Sequence, residues 1–324
     1  GVSRTLLAQI TRHRIASYSV QSLRYNNPFK GQKPTDIKNC SSESLYYLEG
    51  VAFASDDQSS IPPSLRARIE QNGIEGKAPE DIPDKGMAAY LRGIYEVAGA
   101  LLNKDSASGF KIAFPKKFSR AFNKSHINFT QMDDKILIEN EDALRFIRYI
   151  YLTLDLADKC YEKDKLVELC RLSSEFFSEF VQCAIKYADE KYYSFIPKDI
   201  LKKPETILEY IYGLDACKQS YLKLVEMGVD QEDARYILPM GTQTRIVMTM
   251  NVRSLYNFFN LRCCRRAQSE IRELAYLMLK EVKKIAPTLF EKAGAPCEAT
   301  GFCPEGEFSC GRYPNIPEKN IGRH

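Results

Sequence analysis

The 324-residue sequence has little histidine, no dense charge of one sign and no long apolar run. Of its three histidines, His126 and His324 have no metal-ligating neighbours in sequence and are expected at the surface. No stretch approaches the ~18 consecutive apolar residues of a membrane-spanning helix, so none is expected. The formal net charge is only +4, which argues against a dedicated nucleic-acid binder and suits small anionic ligands. No charged leader with an apolar core opens the chain, so the cytosol is the expected compartment. The ten cysteines are then expected as reduced thiols rather than a disulfide frame. No Cys-x-x-Cys spacing occurs, and Cys263-Cys264 is the only adjacent pair. There is no internal repeat and no low-complexity tract. Gly1-Val2-Ser3-Arg4 lacks an initiator Met and runs straight into a helix-like pattern of Leu6, Leu7 and Ile10, so upstream residues are expected to be missing.

A hydrophobic content of 44% is enough for one large domain or two ordinary ones. Four parts are expected: residues 1–29, 30–190, 191–290 and a Cys, Gly and Pro-rich tail at 291–324. The middle region opens as loop, broken by Pro34, Pro62, Pro63, Pro79 and Pro83. Three helical patterns follow, at 86–104, 141–159 and 163–187, with apolar residues spaced three and four apart. Later, Arg245–Met250 reads as a short strand and Val252–Leu261 as a helix. Ala267, Ile271, Leu274, Met278, Val282 and Ile285 mark an amphipathic helix stopped before Pro287.

Two polar blocks could carry chemistry. The first is Arg12-His13-Arg14, followed by Ser17, Ser22, Arg24 and Tyr25. On a helix three consecutive side chains fan out by ~100° each, so they cannot share one face. Where a helix gives way to a turn they could grip a planar anion from several sides, and Arg suits phosphate through its planar fork. The bland alternative is a solvated basic helix end. In the second block Arg253 and Asn257 share a helix face, and Asn251 stands where strand hands over to helix. Helix N-termini are natural anion sites. Asn amides can pair with the edge of a uracil or a flavin. The alternative here is ordinary polar decoration.

Together the blocks are more specific. The patterns RHRxxSxxxxSxRY, ARxxLP, NxRSLxNFxxLR and AQxEIR, in that order, resemble the flavin-dependent thymidylate synthase family over residues 2–29 and 192–290. The resemblance implies an α+β fold: an α/β core with a central, mostly antiparallel sheet flanked by helices, here with a largely helical insertion. It implies a methyltransferase converting dUMP to dTMP, with FAD reduced by NADPH and 5,10-methylenetetrahydrofolate as carbon donor. It implies a homotetramer with shared active sites; the charge and the lack of a long apolar run already speak against nucleic-acid and membrane partners. Carried over by motif, Arg12, His13, Arg14, Asn251 and Asn257 match flavin contacts. Gln9, Ser22, Arg24, Arg235 and Arg262 match deoxyuridylate contacts. Arg262 is the expected catalytic residue, since a guanidinium at the ring carbonyl would stabilise developing negative charge. Ser22 has no base adjacent in sequence to activate it and is assigned to substrate positioning. No metal is required, and Cys263 and Cys264 are expected to be structural.

The sequence also departs from the family. A further N-terminal segment is expected but absent from these residues, so the alternative is a non-catalytic or partner-dependent fragment. Residues 30–190 read as an insertion whose basic stretch (Lys111, Lys116, Lys117, Arg120, Lys124) is expected to be solvated surface. Ser19 and Val20 stand where many members have Asn or Ser and then Glu or Gln; the Ser is a small polar swap, whereas Val20 removes a polar side chain near Ser22. The tail cysteines Cys297, Cys303 and Cys310 lack a standard zinc spacing and read as a reduced structural tail, with a zinc site as the alternative.

Overall fold

The structure, a computed structural model, describes residues 1–13, 15–21, 27–34, 42–55, 61–102, 111–152 and 163–316. The chain divides into two compact units, one of Gly1–Pro28 with Pro239–His324 and one of Phe29–Leu238.

The first unit opens with strand β1 (Val2–Ser3), helix α1 (Arg4–Ile10) and strand β2 (Ser17–Val20). The second unit supplies helices α2 (Ser42–Ala54), α3 (Pro63–Gln71) and α4 (Asp84–Ala98). Strands β3 (Ala100–Leu101) and β4 (Lys111–Pro115), helix α5 (Ser119–Lys124), and strands β5 (Thr130–Gln131) and β6 (Lys135–Glu139) come next. Helices α6 (Asn140–Tyr151), α7 (Lys163–Leu172), α8 (Ser174–Tyr192), α9 (Pro204–Glu226) and α10 (Gln231–Ala234) complete it. The chain then returns to the first unit with β7 (Gln243–Thr244), β8 (Ile246–Thr249), α11 (Val252–Arg262), α12 (Ser269–Ile285) and α13 (Pro296–Thr300).

This is the α+β class expected from the sequence. The described sheets are small and antiparallel: β1 with β7, β2 with β8, and a four-stranded sheet in the order β3-β4-β6-β5. Among the described residues no helix is long and apolar enough to cross a membrane.

In the second unit the prolines that read as loop breakers stand instead at element starts. Pro63 opens α3, Pro79 opens a short 3-10 turn and Pro83 caps α4. A first-turn proline loses nothing there, because its missing N–H would have had no intrahelical partner. Helices α2 and α4 pack backbone to backbone. A Cβ on Gly50 would strike the Tyr90 carbonyl, and one on Gly93 the Tyr47 carbonyl. The single helix expected over 163–187 is two. Ser173 breaks it, because its hydroxyl accepts from Phe176 N at 3.1 Å and starts α8 afresh. Phe122 lies 4.6 Å from Phe114 and 5.5 Å from Phe146, ring centre to ring centre, in the core. The basic stretch is partly structural. Lys111 pairs with Glu139 at 2.6 Å, and the Lys124 ammonium holds the carbonyls of Pro79, Glu80 and Ile82.

In the first unit, Leu6 and Ile10 of α1 pack with Phe258, Phe259, Ile271, Ala275 and Leu279 of α11 and α12. Gln268 starts α12 by accepting from Glu270 N and Ile271 N. Glu270 then reaches across the sequence. It accepts the Ser3 N–H at 2.7 Å and also the Ser3 hydroxyl, while that hydroxyl oxygen caps α1 through Leu6 N. One buried carboxylate thus ties the first strand to the last long helix.

Candidate functional site

Helix α11 begins where the sequence indicated. The Asn251 side chain accepts from Ser254 N at 2.9 Å. From that start, Arg253, Asn257 and Leu261 recur every four residues and share a face. The turn after α1 brings up Arg12 and His13. The His13 N–H closes on the Ile10 carbonyl at 3.1 Å, and its ring meets Phe258 edge-on at 5.1 Å. Arg262, at the end of α11, joins the two elements. Its Nη2 donates to the Gln9 carbonyl at 3.1 Å and its Nε points to His13 Nε2 at 3.4 Å.

These residues line a cleft of about 600 Å³. Arg12, Arg253 and Arg262 supply charge, and His13, Ser254 and Asn257 supply neutral polar groups. Ile15 (68% exposed) and Leu261 (54% exposed) add apolar surface. No Asp or Glu lines it, and among the described residues none of the three arginines has a carboxylate partner. Burial lowers the pKa of His13, and the neighbouring Arg262 lowers it further, which favours the uncharged imidazole. Arg262 itself is lowered by burial and then by Arg12. Such a site holds positive charge short of counter-charge, with a flat apolar rim.

The structure brings together Arg12, His13, Asn257 and Arg262 of the expected set, with the backbone of Gln9. Asn251 is not in the cleft lining; its Oδ1 caps α11, and its NH2 group has no partner among the described residues. Arg235 lies in the second unit, half-buried in the 3-10 turn Arg235–Ile237. Arg14, Ser22 and Arg24 fall outside the described residues. The sequence reading did not assign Ile15, Leu261, Ser254 or Arg253 to the site, although the spacing of Arg253 with Asn257 had placed them on one face. It also missed Tyr18, whose hydroxyl donates toward the carbonyls of Ile10 (2.8 Å) and His13 (2.9 Å). Burial, with Glu298 adding, pushes the Cys263 thiol up to about 12, a poor nucleophile. Of the tail thiols, Cys297 and Cys303 are buried and Cys310 is exposed. Among the described residues no three metal-ligating side chains converge.

The family model of the thymidylate synthase complementing protein matches residues 1–146 and 170–288. The chain belongs to that family. A flavin-dependent thymidylate synthase of Geobacter sulfurreducens is 51% identical over 104 residues, 32% of this chain and 44% of its own. One from Sulfurisphaera tokodaii is 39% identical over 171 residues, 52% of this chain and 66% of its own. One from Saccharolobus solfataricus is 39% identical over 168 residues, covering 51% and 64%. The chain thus spans between 44% and 66% of the length of these relatives.

Proposed function

We propose that this chain carries the flavin- and nucleotide-binding cleft of a flavin-dependent thymidylate synthase. It would form dTMP from dUMP, with 5,10-methylenetetrahydrofolate giving the carbon and NADPH the reducing equivalents. The observation that carries this reading is the cleft itself. Three arginines without carboxylate partners among the described residues, a neutral imidazole, an amide and two exposed aliphatic side chains converge on one hollow. That donor set fits a flat heteroaromatic anion. The arginines hold phosphate or ring carbonyls, the amide of Asn257 pairs with a ring edge, and Ile15 and Leu261 cover a ring face. A volume of about 600 Å³ lies in the range of ligand pockets.

FAD, when bound, supplies the hydride chemistry. The residues that would hold it are Arg12, His13 and Asn257, with Arg14 beyond the described residues. Asn251 would contribute through its remaining amide. Arg262 would orient and polarise the uracil. Its Nε and Nη2 are fixed by His13 and Gln9, and Nη1 has no partner among the described residues. A donor held in place before reaction stabilises charge as it develops. Arg14, Ser22, Arg24 and Arg235 complete the proposed ligand contacts, within a homotetramer in the cytosol. We also propose that residues 30–190 are an insertion. Their support is the buried cluster of Tyr47, Leu48, Val51, Ile61, Leu65 and Ile69, which lies wholly within them, while their larger core is shared with Ile207, Leu208 and Ile211 of α9 and the family model itself matches residues up to 146.

The test assays dTMP formation by the purified chain with NADPH and methylenetetrahydrofolate, beside its flavin uptake. Flavin uptake with dTMP formation supports the reading. Neither flavin uptake nor turnover contradicts it.

A further inference from the structure

We propose that Tyr18 is a positioning residue for the cleft, its hydroxyl fixing the turn that carries Arg12 and His13 to it. This rests on the cleft being the ligand site proposed above. Tyr18 sits on β2 opposite Met248 of β8. Its neighbours Ser17 and Ser19 face solvent, while its ring is half-buried against the first unit's core. Successive strand side chains alternate in direction, so β2 aims this one group inward. The hydroxyl reaches the Ile10 carbonyl at 2.8 Å and the His13 carbonyl at 2.9 Å. Its single proton is shared between the two ends of the turn Ile10–His13, whose first carbonyl, that of Ile10, also accepts the His13 N–H.

The turn needs an anchor. Arg12 is exposed and lacks a carboxylate partner among the described residues, and its charge disfavours that of Arg262. The same side of the site thus repels itself before any anion arrives. The groups that face His13 are Arg262 and Phe258 from α11 and Tyr18 from β2, with Arg12 adjacent in the turn. From α11, Arg262 reaches the Gln9 carbonyl and the His13 ring, and neither bond holds the turn's own carbonyls. Tyr18 ties that backbone to the sheet.

Tyr18→Phe removes the hydroxyl and keeps the ring. Two measurements on the full chain test the proposal. The first follows the imidazole nitrogens of ¹⁵N-labelled protein through a pH titration, with His13 assigned by His13→Gln. In the wild type His13 should titrate below the ordinary imidazole value, with Nε2 accepting from Arg262. In Tyr18→Phe its titration should move toward that value at little cost in thermal stability. An unchanged His13 titration overturns the proposal. The second measures FAD affinity, which Tyr18→Phe should weaken roughly three- to tenfold, the worth of one net hydrogen bond. In an Arg12→Ala/His13→Ala background, which removes both side chains that the turn carries to the cleft, the same change should have little further effect. Equal loss in both backgrounds would mean a general structural role and would also overturn it. If wild-type protein takes up no FAD, the flavin reading fails, and the imidazole titration alone decides the role of Tyr18.

Discussion

Arg262 answers two acceptors at once, the Gln9 carbonyl and the His13 ring, and keeps a third nitrogen for the cleft. Lysine has one nitrogen where this geometry uses a rigid fork. Arg262→Lys and Arg262→Ala should therefore both weaken dUMP binding, by about ten- to a hundredfold, as one lost charged hydrogen bond implies. Calorimetric titration checks this, and near-wild-type affinity for the lysine variant would contradict the fork. His13 makes a pH prediction. Its pKa in the folded state lies below the unfolded value of about 6.5, through burial first and Arg262 second. Between the two values the unfolded chain binds more protons, so stability falls as pH drops below about 6.5 and levels off below the folded value. His13→Gln should flatten that part of the curve in denaturant melts at pH 5 to 8. Neither effect was readable from the triplet Arg12-His13-Arg14. Arg262, which adds to burial in lowering His13, lies 249 positions away.

At the scale of elements, α11 separates two asparagines that the motif treats alike. Asn251 caps the helix, whereas Asn257 is exposed on the cleft face. Asn251→Ala should cost about 1 kcal/mol of stability, and Asn251→Asp should restore it. Asn257→Ala should leave the melting curve in place and weaken flavin uptake. Thermal unfolding beside FAD titration of each variant checks the split. The elements of the second block were legible because each carries its own signals: β8 a short apolar run, α11 an Asn at its start, α12 a stripe ending before Pro287. The small sheet β3-β4-β6-β5 was not legible, since strands of two to five residues leave no periodicity to count. The break between α7 and α8 hid behind apolar spacing that continues through Ser173, a residue whose cap shows only in the structure. Tyr18 was missed for a related reason. A hydroxyl that bonds backbone carbonyls leaves no motif.

For the whole molecule, the first unit is assembled from the two ends of the chain. The bonds from Ser3 to Glu270 are its most direct polar closure. Glu270→Ala leaves two donors of Ser3 unanswered in a buried place and should cost about 2–3 kcal/mol. Hydrogen exchange at the amides of α12 should quicken in that variant. Unchanged protection would mean that α12 is held by packing alone. The organisation into units was only partly visible in sequence, because apolar content reports that cores exist and not which distant segments share one. The motif order did place residues near 12 and near 257 in one site, and they meet there. The claim that most needs testing is that this cleft takes the flavin. A titration of the purified chain with FAD, followed by absorbance and repeated with dUMP present, tests it directly. Uptake should be saturable and should be lost in the double variant Arg12→Ala/Asn257→Ala. Uptake that survives in the double variant, or no uptake by the wild type, would contradict it.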